Sequence, residues 1–167
     1  MSQTFKNLRE AFTGESQANR RYIAFSKRAE DEGYPQVAKL FRAASEAETV
    51  HALNHLRIMK EVKSTLENLN TALEGESFEY SKMYPGFIEQ AKKENKSDVV
   101  WSFDVANKVE QIHAALFTKA IKSLKIEKKM ESIDYYVCQV CGNTVEDKAP
   151  DKCPICGAPS QKFKKIV

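Results

Sequence analysis

The sequence predicts an all-α protein built on a four-helix bundle, with a small metal-dependent module at its C-terminal end. Three observations carry that prediction. One helical hairpin is encoded twice: TFKNLREAFTGES at 4–16 returns 61 positions later as TLENLNTALEGES at 65–77, and FRAASEAETVHA at 41–52 is echoed by FDVANKVEQIHA at 103–114. Apolar residues recur at helical spacing through four stretches. All four cysteines fall in the last thirty residues, as two Cys-x-x-Cys pairs.

The first helical stripe is Phe5, Leu8, Phe12, Glu15, Ala18, Tyr22 and Phe25, and Gly33-Tyr34-Pro35 ends it. Leu40, Ala44, Glu48, His51, His55 and Met59 form the second. The third runs Leu69, Ala72, Glu76, Glu79, Met83 and Phe87, with a kink or break expected at Pro85, which has no N–H to continue the ladder. Val99, Phe103, Ala106, Glu110, His113, Phe117, Ala120 and Leu124 make the fourth. In every helix a carboxylate or imidazole falls on the apolar stripe. Burying an unpaired carboxylate is costly, so each of these groups requires a partner. After Leu124 a charged connector over 125–132 leads into a compact module, and the expected domains are residues 1–126 and 134–167. The second is too small for a core of its own and needs a bound ion to stay folded.

Positions three apart on a helix face the same way, so Glu48 with His51, and Glu110 with His113, each offer an oxygen and a nitrogen to one point. Glu15 and Glu76 complete a set of four carboxylates and two imidazoles. That set suits two divalent ions bridged by carboxylates, the arrangement found in ferritin-like di-iron and di-manganese bundles. Glu79 has no counterpart in the first half, where Ala18 stands, yet it lies one turn beyond Glu76. As a seventh ligand it would let one ion exchange the nitrogen of His51 for a harder oxygen on oxidation; the alternative is a solvated residue or a hydrogen-bond acceptor. Tyr22, two turns beyond Glu15, and Tyr84, eight residues past Glu76, place phenols near the site or serve as core residues with a bonded hydroxyl. His55 reads as structural or surface.

Cys138, Cys141, Cys153 and Cys156 form two knuckles whose spacing is specific for tetrahedral thiolate coordination of one ion. Zinc and iron both fit. Tyr135-Tyr136 before the first knuckle and the CPICG of the second resemble rubredoxins and favour iron, which moves one electron at a time. The net charge of +3 is small and basic residues alternate with acidic ones, so no nucleic-acid surface is expected. No apolar run approaches the roughly 20 residues that span a bilayer, and residues 1–12 lack a signal-peptide pattern. A cytoplasmic protein is expected, and in that reducing setting the cysteine spacing means metal rather than disulfides.

Taken together, GES at 14–16, EAETVHA at 46–52, GESFEYSKMYPGF at 75–87, VEQIHA at 109–114 and the two cysteine pairs resemble the rubrerythrin family over nearly the whole chain. The resemblance implies a ferritin-like bundle with a non-haem di-iron centre, a rubredoxin-like domain holding a third iron, and reduction of hydrogen peroxide to water. It further implies that Glu48 and Glu110 bridge the irons and that Glu15 and Glu76 are terminal ligands. His113 would serve one iron, while His51 and Glu79 alternate on the other, with Tyr22 and Tyr84 beside the centre. An external reductase using NAD(P)H, or a rubredoxin, would supply electrons, making the protein an NAD(P)H-linked peroxidase.

The link between the hairpins departs from the ferritin-like pattern, in which the second connection crosses the bundle lengthwise. With helix two running about eleven residues past His51 and helix three starting about ten before Glu76, the crossing is about 31 Å. The four or five residues near 63–65 reach only about 16 Å. A homodimer is therefore expected, with helix pairs swapped between chains, the alternative being that the helix ends unwind enough for one chain to cross its own bundle. The long connector after Leu124 would then bring the thiolate iron close to the di-iron site of a neighbouring subunit. Two rivals use the same residues: a ferroxidase or oxidase acting with O2, and a non-catalytic metal-binding bundle carrying a structural zinc ribbon, since zinc competes for either site.

Overall fold

The computed structural model describes residues 2–126 and 132–167, so most of the predicted charged connector lies outside the described residues. The chain divides into two compact units, Met1–Lys63 and Ser64–Val167.

The first unit is a hairpin of α1 (Gln3–Asp31) and α2 (Pro35–Met59). Ser2 caps α1 by accepting from the Phe5 N–H, and Pro35 opens α2 where its missing N–H costs nothing. The buried residues of α2 are Ala38, Ser45, Ala52 and Met59, seven apart. Such a seam is narrower than the stripe expected from the sequence. Leu40 and Phe25 are accordingly exposed, because a long helix with one close partner buries a heptad row rather than a wide face. A polar clamp crosses the seam: the Asn19 amide donates to Ser45 O at 2.7 Å and to Thr49 Oγ1 at 2.8 Å, and Ser45 Oγ donates back to Asn19 O at 3.2 Å. Buried polar groups of this kind are costly unless paired, so the clamp fixes the register of α1 against α2.

The second unit starts at α3 (Thr65–Phe78), whose N-terminus carries a reciprocal capping box between Ser64 and Glu67. A single π turn (Glu79–Met83) follows, then α4 (Tyr84–Lys93) and α5 (Ser97–Lys125), and α3 and α4 both pack on α5. The break expected at Pro85 is a widening: the Tyr84 N–H reaches back to Glu79 O, and the helix resumes with proline in its first turn. The module is an antiparallel sheet of β1 (Tyr135–Cys138), β2 (Thr144–Glu146) and β3 (Phe163–Ile166) in the order β2-β1-β3. Within this unit it sits on α5. Lys119 Nζ pairs with Glu146 at 2.7 Å, and Gly142, at φ +83°, lies against Val109, which a Cβ would meet at 3.8 Å.

Three helices end with a left-handed residue and a hydrogen bond from the next N–H back across the last turn: Gly33 with Tyr34 to Ala29, Lys60 with Glu61 to Leu56, and Asn95 with Lys96 to Ala91. Lys60 is the strained one, since a side chain opposes that conformation. Lys60→Gly should raise stability by about 0.5–1 kcal/mol, measured by urea unfolding of the metal-free protein.

Candidate metal centre

Each unit brings together one glutamate from its first helix and the Glu-x-x-His of its last. In the first unit His51 Nδ1 lies 3.0 Å from Glu48 and 3.8 Å from Glu15. In the second, His113 Nδ1 lies 2.8 Å from Glu110 and 3.8 Å from Glu76. The six predicted donors thus form two matching triads, each able to face one metal ion. The match extends to the aromatics. Tyr22, Phe25 and Phe41 have ring centroids 6.3, 6.0 and 5.5 Å apart, and Tyr84, Phe87 and Phe103 have 6.4, 6.0 and 5.5 Å. Both tyrosines pack on phenylalanines from the antiparallel helix, as part of a ring cluster rather than as isolated phenols.

The π turn reconciles the two halves. Glu15 and Glu76 are offset by 61 positions, but Tyr22 and Tyr84, like Glu48 and Glu110, are offset by 62. One extra residue therefore enters between Glu76 and Tyr84, and the segment that absorbs it is the π turn at Glu79–Met83. Glu79 opens that turn. It lies within electrostatic reach of Glu76, Glu110 and His113, whereas Ala18 at the matching place in α1 offers nothing.

In the module Cys138 Sγ is 3.7 Å from Cys156 Sγ, and Cys141 Sγ is 3.6 Å from Cys153 Sγ. All four thiols are free and converge on one point. These spacings are far beyond a disulfide bond and match the edges of a tetrahedron with metal–sulfur distances of about 2.3 Å. Burial pushes the Cys141 thiol up, while Cys153 is brought down to about 7 against its own burial by the backbone N–H groups of Cys156 and Ile155 and by neighbouring thiols. One of the four sulfurs, that of Cys153, is thus already favoured as thiolate.

The rubrerythrin family model matches residues 6–121, and the model of the rubrerythrin rubredoxin-like domain matches residues 136–164. The chain belongs to the rubrerythrin family. It is 35% identical to rubrerythrin-2 of Clostridium acetobutylicum, over 94% of this chain and 93% of that protein. It is 32% identical to nigerythrin of Nitratidesulfovibrio vulgaris, over 96% of this chain and 85% of that one. A structure of fully reduced, all-ferrous nigerythrin covers 99% of this chain and 88% of its own, with a TM-score of 0.59 and 30% identity.

Both iron-binding sets of a rubrerythrin are present here: the di-iron carboxylate residues and the rubredoxin-like four cysteines, on a ferritin-like helical fold with a small C-terminal sheet. Among the described residues no helix is long and apolar enough to cross a membrane. Within its own unit the thiolate module rests on α5, with Thr144 Oγ1 3.0 Å from His113 Nε2. Thr144 was not singled out from the sequence, and neither was Asn143, which is fully buried and donates its amide to Cys153 Sγ at 3.6 Å. The position of Asn143, two residues past the first knuckle, was the available signal. Thr144 had none, because its role arises from docking.

The carboxylates are crowded. Glu15 is raised chiefly by its hydrogen bond to Glu48, and Glu48 is lowered by the same bond and by His51. Glu76 is pushed up to about 7 by burial, by its hydrogen bond to Glu110 and by the charges of Glu110 and Glu79. Its proton is held more tightly in the folded chain than in the unfolded one, where the ordinary value is 4.5. Its contribution to stability is therefore complete below pH 4.5 and lost as pH rises through about 7. Metal-free protein should lose thermal stability across that interval. Glu76→Gln should flatten the loss in unfolding scans at successive pH values.

Proposed function

We propose that this protein reduces hydrogen peroxide to water at a di-iron centre formed by both triads and Glu79, with electrons entering through iron held by Cys138, Cys141, Cys153 and Cys156. The observation that carries this reading is the seating of the four-thiolate knuckle against the outer nitrogen of His113, one of the triad donors. Converting one peroxide to two waters consumes two electrons and two protons. A ferrous pair bound there would supply those electrons.

The side chains do the remaining work. Glu48 and Glu110 would hold both ions, Glu15 and Glu76 would each hold one, and His113 would serve one of them. His51 and Glu79 would be the alternative ligands of the other, a role supported by the opening position of Glu79 in the π turn and by the preference of ferric iron for oxygen. Burial, then the charges of Glu79, Glu110 and Glu76, raise the Tyr84 phenol, so Tyr84 Oη keeps its proton and can donate a hydrogen bond into the site. Tyr22 takes the corresponding place in the first half. The proposed domains are residues 1–126 and 134–167, a division supported by the two family matches. The proposed setting is the cytoplasm, and the proposed electron source is a reductase drawing on NAD(P)H or a rubredoxin. Cys153→Ser should abolish reductase-driven peroxide consumption in a steady-state assay while sparing a single turnover of chemically reduced protein.

The same reading requires two chains. The α2 helix ends eight residues past His51 and α3 begins eleven before Glu76. Bringing the triads level on parallel helices separates those ends by about 29 Å. The five linking residues, 60–64, reach about 18 Å at full extension. The shortfall is smaller than the sequence suggested, because α2 ends eight residues past His51 rather than about eleven, but its sign is the same. A homodimer whose centres each combine α1 and α2 of one chain with α3, α4 and α5 of the other removes it, and the exposed Leu40, Leu53 and Ile58 of α2 are apolar surface for such a partner. Mixing refolded Glu48→Gln and Glu110→Gln chains tests the exchange. Random pairing should restore about a quarter of wild-type activity, because half the dimers carry one centre with both glutamates intact. Centres made within single chains would restore none.

A further inference from the structure

The two histidines have identical surroundings at Nδ1 and different ones at Nε2. His51 is 54% exposed, and both its contacts are at Nδ1. His113 is 28% exposed, and its Nε2 meets Thr144 Oγ1 at 3.0 Å. The hydroxyl of Thr144 lies 3.2 Å from Gly142 O, a carbonyl that can only accept. The threonine proton therefore goes to Gly142, and the oxygen is left to accept from the imidazole. That arrangement places a ring proton on Nε2, while Nδ1, 2.8 Å from Glu110 Oε2, shares a proton with that carboxylate which a cation held between them would replace.

We propose that Thr144 is a positioning residue that holds the His113 ring with Nδ1 free as a metal donor, and that it makes the cysteine knuckle part of the bundle's metal site. The idea rests on the metal-centre reading above. Three contacts keep the hydroxyl in place. Gly142 packs on Val109 one turn below His113, Glu146 pairs with Lys119 above it, and the knuckle is closed by the Gly142 N–H to Cys138 O and the Cys138 N–H to Asn143 O, both 2.9 Å. A hydrogen bond to the outer nitrogen of a ligating histidine orients the ring and makes it a better donor. No described residue does this for His51. His113 is thereby the fixed nitrogen ligand and His51 the one free to leave.

The test uses the full chain loaded with zinc, which is diamagnetic, and labelled with nitrogen-15 in histidine. Thr144→Val keeps the side-chain shape and removes the hydroxyl. It should weaken zinc binding in the bundle by about 10–100-fold in competition with a chelator and speed exchange of the His113 Nε2 proton with water, leaving the His51 signals unchanged. Thr144→Ser should restore both. Cobalt thiolate absorption reports that the cysteine site is intact in each variant. Wild-type affinity and proton exchange in Thr144→Val, or no rescue by serine, would overturn the role. A wild-type chain that takes up no zinc in the bundle would overturn it together with the metal-centre reading, and is told apart because the failure appears without any substitution.

Discussion

Two glutamates held within hydrogen-bonding range by neighbouring helices cannot both carry a full charge unless a proton or a cation lies between them, and this chain builds that situation twice. Glu15 with Glu48, and Glu76 with Glu110, are each close enough to share a proton, and in each pair one partner is raised. The rest of the fold maintains this crowding. The Asn19 clamp and the small residues of α2 set the distance between α1 and α2, and α3 and α4 are both applied to α5. A protein held together for stability alone would separate these groups. Their proximity is the cost of a ready-made cation site, and a divalent ion relieves it better than a single shared proton.

The duplicated hairpin explains why the two triads agree to within a few tenths of an ångström, and the inserted residue explains where they differ. A regular helix through 76–84 would repeat the geometry of Glu15 to Tyr22, with a small residue in the place of Ala18. The π turn takes up one more residue, keeps Tyr84 over Phe87 and Phe103, and opens on Glu79. An asymmetric seventh donor is thus obtained without disturbing six symmetric ones. The second asymmetry comes from outside the hairpin, in the threonine that touches His113 but has no partner role at His51.

Much of this was legible in the sequence. The donors could be read because a carboxylate or imidazole on an apolar stripe needs a partner, and because Glu-x-x-His spacing turns both groups to one side. The cysteine site was legible for a similar reason, since its spacing and its geometry are nearly the same information. The π turn is half legible: the offset changes from 61 to 62, but the local signal is Pro85, and a proline alone does not distinguish a kink from a widened turn. The apolar stripes are narrower than their periodicity suggests, as Leu40, Phe25, Phe87 and Leu124 are exposed. Periodicity reports which residues share a face, not how much of that face a single neighbour covers. Docking of the module on α5 was invisible, because it depends on surfaces brought together only after each part has folded.

That docking changes how the two metal sites must be thought of together. The module's contacts, at Val109, His113 and Lys119, lie on one stretch of α5 within its own unit. If the triads of two chains combine, the module travels with the hairpin that carries Glu76, Glu110 and His113, whichever chain supplies Glu15, Glu48 and His51. The spacing between the thiolate site and its neighbouring triad is then set inside a single unit. Exchange of helices between chains can vary without altering that spacing, which is the arrangement expected if electron supply is the stricter requirement and subunit pairing the looser one.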